Sequence, residues 1–356
     1  MIRKQIIQIV IFAFGASLLC GCSGQKALQE QRAQQGVQEE LQKEQEGEPE
    51  GQEALQKEQE GASKGKEADR SGEGAKQQPD RVTFTDSLGY EVTAELPAKT
   101  AVISGSYADM WQRAGGELAA VTKDAMDTIT VTEEMVNLGD LKNPSVERMI
   151  AEEIDFVILS GAIAEHVALR EQLEMTGITT ACFEVETFED YADMMDILTD
   201  ITGRKDLYRT SVELLRDEIS AQIARADESH PSVLLLRAYS GGVKSKGSDS
   251  MTGQMLKDLG CVNIADSEKG LLEDLSMEAI IAADPDYIFV TTMGESQEAA
   301  LKMVEELLIS NPAWKGLKAV EENHYYVLEK ELFHIKPNER WGESYRILAD
   351  YLYGDE

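Results

Sequence analysis

Two segments of the chain follow the same order. Ser145-Val146-Glu147 opens a short helical pattern that runs into the apolar stretch Phe156–Leu159, and Ser276-Met277-Glu278 opens another that runs into Tyr287–Val290. At one constant offset the Ser, the Glu, Ile150/Ile281, Ala151/Ala282 and Asp155/Asp286 coincide. The elements around the two segments also come in the same order, which predicts two lobes of one design. Two such α/β lobes facing each other enclose a cleft, and a cleft between lobes is where a ligand sits.

The first eighty residues are of a different kind. Arg3 and Lys4 precede an apolar run from Ile6 to Leu19, broken only by Gln8 and Ser17. The run is short for a membrane span and fits an export signal over residues 1–21. Leu19-Cys20-Gly21-Cys22 follows, with a small residue before Cys22 and a leucine three positions ahead of it. This is the pattern of a lipoprotein cleavage box, and it predicts Cys22 as a lipidated N-terminus that anchors the protein to the outer face of a bacterial cell membrane. Cys20 is the poorer candidate, because bulky Leu19 would stand at the cleavage position. Residues 22–80 are rich in Gln, Glu, Gly, Lys and Ala and contain no aromatic residue; Leu41-Gln42-Lys43-Glu44-Gln45-Glu46-Gly47 recurs as Leu55–Gly61. Isolated leucines cannot fill a coiled-coil seam or offset the entropy of ordering the chain, so this stretch reads as a disordered tether.

From Arg81 onward there is enough chain for two modest lobes with cores. The formal charge of −32 argues against a nucleic-acid partner, which needs concentrated Lys and Arg. Cys182 and Cys261 lie in apolar contexts, one per lobe, and are expected as buried free thiols. The alternating Arg81–Asp86 and Tyr90–Ala94, around Ser87-Leu88-Gly89, predict a hairpin. Strands at Ala101–Ile103, Leu118–Val121, Phe156–Leu159 and Thr179–Phe183 alternate with helical patterns at 108–114, 146–152 and 164–175. That alternation predicts a mostly parallel sheet covered by helices. The N-terminal lobe is thus assigned to residues 81–187. Residues 188–229 have no strand signal and read as a long, rigid helical connector, one helix or two stacked ones, with an interruption near Gly203. The C-terminal lobe, residues 230–356, restarts with a strand at 233–236, a polar loop at 237–246 and a helix stopped by Gly260. It continues through Tyr287–Val290, a helix at 296–309, Tyr325–Leu328 and a last helix at 340–352. The fold class is therefore α/β, with two similar Rossmann-like lobes and the ligand cleft between them.

The quoted pieces also resemble a known family. "VTFTDSLGYEVTAELPAKTAV", "NLGDLKNPSVERMIAEEIDFVIL", "LSMEAIIAADPDYIFV", "NPAWKGLKAVEENHYYVL" and "PNERWGESYRILADYL", in this order behind a lipoprotein signal, are similar to the substrate-binding lipoproteins of ABC importers for iron complexes and cobalamin. They cover nearly all of residues 81–353. One departure is Ile154, where the family places Pro before the Asp; Pro285 keeps the pattern in the second repeat. The resemblance implies a monomeric, non-enzymatic protein that captures a ferric siderophore or haem, with a corrinoid as the alternative cargo. It would hand the cargo to a permease and its ATPase and would have no cofactor of its own. A sensor or adhesin on the same fold is the other alternative. The resemblance also implies that one surface Glu per lobe, here Glu147 and Glu278, pairs with Arg on the permease. Both residues equally suit the first turn of a helix behind an N-cap serine, and the two roles are compatible.

Ligands of open α/β sheets sit at the carboxyl ends of the strands. That rule nominates Ser106 and Tyr107 after the first strand, Lys123 after the second, Arg237 and Tyr239 after the first strand of the second lobe, and Phe333, His334, Lys336 and Arg340 before the last helix. Tyr107, Tyr239 and Phe333 are expected as flat walls, while Trp111 and Trp341, on amphipathic helices, are expected in the core. Arg237, Lys336 and Arg340 are expected to bring positive charge to carboxylates or phenolates. The four histidines form no cluster with carboxylates of the kind a free-metal importer would need, so no direct metal site is expected. His230 and His324 read as turn residues and His166 as a helix-surface one. His334 is open to three roles: axial ligand of haem iron, hydrogen-bond partner of a siderophore, or packing. No nucleophile elbow or Ser/His/Asp arrangement supports an enzyme, and Ser240-Gly241-Gly242 lacks the spacing of a phosphate loop.

Overall fold

The computed structural model describes residues 81–267 and 276–354. The expected signal, the tether and Cys22 lie outside the described residues.

The chain enters through an antiparallel hairpin, β1 (Val82–Thr85) and β2 (Glu91–Ala94), with Val82 opposite Ala94. Asp86 organises the turn: one carboxylate oxygen accepts the Leu88 and Tyr90 amides at 3.1 and 3.0 Å. Its other oxygen accepts the Cys182 amide at 3.2 Å and the Arg170 guanidinium at 2.5 Å. Arg170 in turn lies over the Tyr90 ring at 3.9 Å. An apolar-alternating hairpin is marginal alone. Here it is stapled to the first lobe by a buried ion pair whose acid is fully enclosed.

The first lobe contains the strands β3 (Thr100–Val102), β4 (Ala120–Val121), β5 (Val136–Asn137), β8 (Phe156–Ser160) and β9 (Thr179–Phe183). They pair in parallel in the order β5-β4-β3-β8-β9. A small antiparallel ribbon, β6 (Gly139–Asp140) with β7 (Asn143–Pro144), precedes the first Ser-x-Glu helix. The second lobe contains β10 (Ser232–Tyr239), β11 (Gly242–Ser245), β12 (Val262–Asn263), β13 (Tyr287–Thr292) and β14 (Tyr325–Val327). Its parallel strands run β12-β10-β13-β14. Counted in chain order, the first lobe places its strands third, second, first, fourth, fifth, and the second places its parallel strands second, first, third, fourth. In each the order reverses beside the first strand, so the crevices lie at the carboxyl ends of β3 and β8 and of β10 and β13. One expectation changes: residues 237–246, read as a loop, are the hairpin β10–β11, with Arg237 opposite Lys244. The period-two alternation is hidden because β10 is apolar on both faces until it leaves the core.

The repeated residues do the same work twice. Ser145 and Ser276 cap α2 (Val146–Ala151) and α8 (Met277–Ala283) by accepting the amides of Arg148 and Ala279. Each satisfies one of the donors that a helix start leaves free. Asp155 accepts the Ala98 and Lys99 amides, and Asp286 accepts the Ser232 amide, so Asp155 ties the start of β8 to the start of β3 and Asp286 ties the start of β13 to the start of β10. Before them Glu153 and Asp284 take left-handed φ of 55° and 41°. The turn is thus alike in both lobes although Ile154 replaces the proline. Further helices are α1 (Gly105–Arg113), α3 (Ala164–Met175) and α7 (Met251–Asp258); α1 and α7 both end ahead of a glycine with φ near 80°, Gly115 and Gly260.

The connector is two stacked helices. α4 (Phe188–Thr202) begins with a capping box from Thr187 and Asp190 and stops at Gly203, whose φ is 68°. α5 (Lys205–Tyr208) then continues through a π turn, Arg209–Glu213, into α6 (Leu214–Ile223). The Tyr191 hydroxyl donates to Ser211 O, joining the two arms. One core runs through this connection: Tyr107, Trp111 and Phe156 of the first lobe, Tyr191 and Leu215 of the connector, and Leu235, Phe289 and Trp341 of the second belong to a single buried cluster. Phe188 and Tyr191 meet the Trp341 ring at 5.9 and 6.3 Å. A wide hinge motion would open that core, whose side chains lose far more than one contact each, so the connection is stiff.

Candidate functional site

The cleft floor is built where β3 and β9 of one lobe meet the stretch between α9 (Lys330–Phe333) and α10 (Trp341–Tyr353) of the other. After β3 the chain turns sharply into α1. The Gly105 amide donates to Asp124 Oδ2 at 2.7 Å, and a Cβ at Gly105 would stand 2.7 Å from Thr128 Oγ1 and 2.8 Å from Asp124 O. Only glycine admits that approach. Ser106 is half-buried on the first turn, its Oγ 3.2 Å from Ser104 Oγ and its carbonyl accepting from the Asn338 side-chain amide at 2.9 Å. Asn338 also donates to Asp109 at 2.7 Å, and Arg113 pairs with Glu339. Asn338 manages both bonds from a left-handed backbone, φ 51°, while nearly fully buried. These contacts pin the second lobe onto α1.

Beside this pin lies a group of positive charges. The Lys336 ammonium reaches across to Glu186 at 3.0 Å, with the two side chains 19% and 38% exposed. Arg237, half-buried on β10, has an Nε that is enclosed and has no hydrogen-bond partner among the described residues. Burial pulls its pKa below the usual guanidinium range, and the Glu186 charge opposes that pull. Lys244 stands directly opposite Arg237 in the hairpin, a like-charge pairing that costs stability. His334 closes the group. Its Nδ1 is buried and has no hydrogen-bond partner among the described residues, and burial, helped by Arg237, Lys330 and Lys336, pushes its pKa down to about 4. The ring is therefore neutral at physiological pH and keeps a lone pair. In a chain of formal charge −32, the enclosed Arg237 Nε and His334 Nδ1 lie in a local concentration of positive charge. Among the described residues no group of three or more His, Cys, Asp or Glu converges as a metal site.

Not every nominated residue reaches this pocket. Tyr107 is 2% exposed and its hydroxyl donates to Phe183 O at 3.0 Å. Burial raises its pKa well above the ordinary tyrosine value, so it is a core residue and offers no wall or phenolate. Phe333 is likewise core, 1% exposed, with its carbonyl taken by Thr252 Oγ1 at 2.7 Å. Tyr239 is half-buried, and its ring folds back over Gly241 and Gly242 at the tip of its own hairpin. Arg340 pairs with Glu343 at 2.6 Å and Glu329 at 3.3 Å on the surface, so its charge is spent locally. Lys123 is exposed at the carboxyl end of β4. Trp111 and Trp341 are buried, as expected. Glu147 and Glu278 are exposed on the first turns of α2 and α8.

Two residues depart from what the sequence suggests. His166, expected at a helix surface, is fully buried: Nδ1 accepts the Ser160 amide at 3.1 Å and Nε2 lies 2.7 Å from Leu141 O. That fixes the tautomer with the proton on Nε2 and joins β8 to the loop ahead of α2. The other is Glu186, an acid that faces the charge group. An acid in so acidic a sequence carries no signal. Asn338 does carry one, since Pro-Asn marks a turn. Cys182 and Cys261 are free and buried, as expected, with burial raising their thiols to about 11 and about 12.

Comparison with known proteins follows the same outline. The family profile described as Periplasmic binding protein matches residues 101–332. The "High-affinity heme uptake system protein IsdE" of Staphylococcus aureus (strain MRSA252) is 24% identical over 232 residues, 63% of this chain and 76% of its own length. An ABC transporter substrate-binding protein from Listeria monocytogenes EGD-e superposes with a TM-score of 0.62 at 18% identity, covering 72% of this chain and 99% of its own. The siderophore binding protein BauB, solved with two molecules of acinetobactin and ferric iron, gives 0.62 at 18% identity, covering 77% and 98%.

Proposed function

The chain belongs to the periplasmic binding protein family, and on that premise we propose that it captures an anionic iron complex, a ferric siderophore or haem, outside the cell and delivers it to the permease of an ABC importer. The observation that carries this reading is the cluster of Arg237, Lys244, His334 and Lys336 at the cleft, which Glu186 partly offsets. Carboxylates, catecholates or propionates supply the acceptors that the Arg237 Nε lacks. A cobalamin carrier has no need of such charge. The lobes are pinned at the floor by Asn338 and joined by the stacked helices, so cargo enters by small rearrangement at the Lys336–Glu186 pair rather than by a wide hinge.

His334 takes the role of axial ligand if the cargo is haem: a neutral imidazole with an unshared lone pair is what haem iron accepts. Ser106 and Tyr239 line the approach, and Lys123 stands at its rim. Glu147 and Glu278 dock on the permease, one per lobe. Cys22 carries the lipid that keeps the protein at the membrane, and the monomer works with the permease and its ATPase. A fluorescence-quench titration against haem, cobalamin and a panel of ferric siderophores tests the reading. Tight binding of one anionic iron complex, weakened at least tenfold in Arg237→Ala, is expected. Selective binding of cobalamin, or of none of the panel, overturns it.

A further inference from the structure

The five identities shared by the two Ser-x-Glu segments divide into two sets. Ser145/Ser276 and Asp155/Asp286 are accounted for inside each lobe, as helix cap and strand clamp. Glu147/Glu278, Ile150/Ile281 and Ala151/Ala282 are exposed in both lobes. Ile150 and Ile281 are 49% and 42% exposed, whereas Met149 and Ile280 on the same helices are fully buried. Positions i, i+3 and i+4 share one helix face, so each lobe presents an acid with an isoleucine and an alanine beside it. Other positions of the two helices have diverged, among them Arg148/Ala279 and Glu152/Ala283. An exposed isoleucine kept in both copies stabilises neither lobe. The face also has a defined place. The Ser145 amide donates to Leu138 O and the Leu138 amide to Val121 O, so the first turn of α2 stands at the carboxyl edge of the sheet, the edge that carries the cleft. In the second lobe Ser276 Oγ donates to Glu278 at 3.1 Å and orients its carboxylate.

We infer that Ile150-Ala151 and Ile281-Ala282 form the apolar half of a two-point docking surface, and that its occupant is a permease with two equivalent, basic-and-apolar receptor sites. The inference rests on the delivery reading above and adds to it where affinity resides. The glutamates steer and set register through a salt-screened charge contact; the isoleucines supply burial that salt does not weaken. A lipid surface is the wrong occupant, because an acid sits in each patch and anionic headgroups repel it.

The test uses the full-length protein carrying Cys22→Ala, so that no acyl anchor holds it to the disc, as the reference wild type and in every variant, with the cognate permease–ATPase complex in lipid nanodiscs at low and high salt. Ile150→Ser with Ile281→Ser is expected to weaken association about thirtyfold at both salt concentrations, with ligand affinity and melting temperature unchanged. Met175→Ser, at an unrepeated residue that is 77% exposed, is expected to associate as the wild type does. Normal association of the double isoleucine variant overturns the inference while leaving delivery intact. Loss equal to that of Met175→Ser, or loss that disappears at high salt, overturns it too. A wild-type protein that does not associate with the permease at all overturns the delivery reading itself, and binding of the patch to empty nanodiscs assigns it to lipid and refutes the permease occupant.

Discussion

Glu186 is the residue on which the charge argument can be pressed hardest. It pairs with Lys336 at 3.0 Å, and its charge opposes the lowering of the Arg237 pKa by burial. An incoming anion must take Lys336 from it. Coulomb's law at this separation gives about 1.4 kcal/mol with the screening of bulk water and about 5.5 kcal/mol at the effective dielectric of a protein surface. Desolvation and the ordering of two side chains, one of them more than a third exposed, cancel most of this and leave about 1 kcal/mol. Glu186→Gln keeps the shape, removes the competing charge and leaves Lys336 and Arg237 uncompensated. The variant should therefore bind an anionic iron complex about fivefold more tightly than the wild type. The gain should shrink at high salt, and the melting temperature should fall slightly. The assay is a fluorescence-quench titration of both proteins with the same ferric complex, run beside cobalamin as a ligand with no net negative charge. Unchanged or weaker binding of the anionic complex would refute the role given to the pair, as would an equal gain for cobalamin.

Haem added to the protein should give a Soret band that His334→Ala alters, and because the His334 pKa lies at about 4 the band should persist to about pH 5; loss near pH 6.5, where an ordinary histidine titrates, would remove His334 as the ligand. The same depression means that the unfolded state binds more protons than the folded one between those two pH values. Stability should thus fall as pH drops from about 6.5 to about 4, with buried His166 adding to the trend, and His334→Gln should flatten that slope in urea titrations. Glu147→Lys with Glu278→Lys should abolish uptake of the loaded complex and leave its affinity unchanged; surviving uptake would remove both from docking. Asp86→Asn removes the fully enclosed partner of Arg170 and leaves it the half-exposed Glu174 at 2.7 Å; it should cost about 2–3 kcal/mol, read as a lower urea midpoint. Gly253→Ala would place a Cβ 2.0 Å from Gly247 O, where backbone must move, and should give little folded protein on purification.

The local features are legible in the amino-acid order, because each is decided within a few residues. Alternation places the hairpin, and apolar runs place β3, β8, β9 and β13. Glycine stops end α1 and α7, and serines start α2 and α8. The repeat alone predicts two lobes, and the lobes do share a reversal of strand order beside the first strand, a cap, a clamp and a left-handed turn. The chemistry of the site is legible only in outline. Arg237, Lys336 and His334 follow from the ends of strands, a rule that needs no knowledge of tertiary contacts. Tyr107, Phe333 and Arg340 follow from the same rule, but two are buried in the core and the third is neutralised by Glu329 and Glu343. The difference is which way a side chain turns. That depends on neighbours far along the chain: Phe183 for Tyr107, Thr252 for Phe333, Leu141 for His166. Glu186 shows the limit most plainly, since it becomes a functional residue only because folding carries Lys336, far away in sequence, to 3.0 Å. Sequence determines periodicity, caps and charge inventory, which are local. Burial, pairing and pKa are set by the three-dimensional surroundings, and those exist only once the two lobes have closed around a shared core.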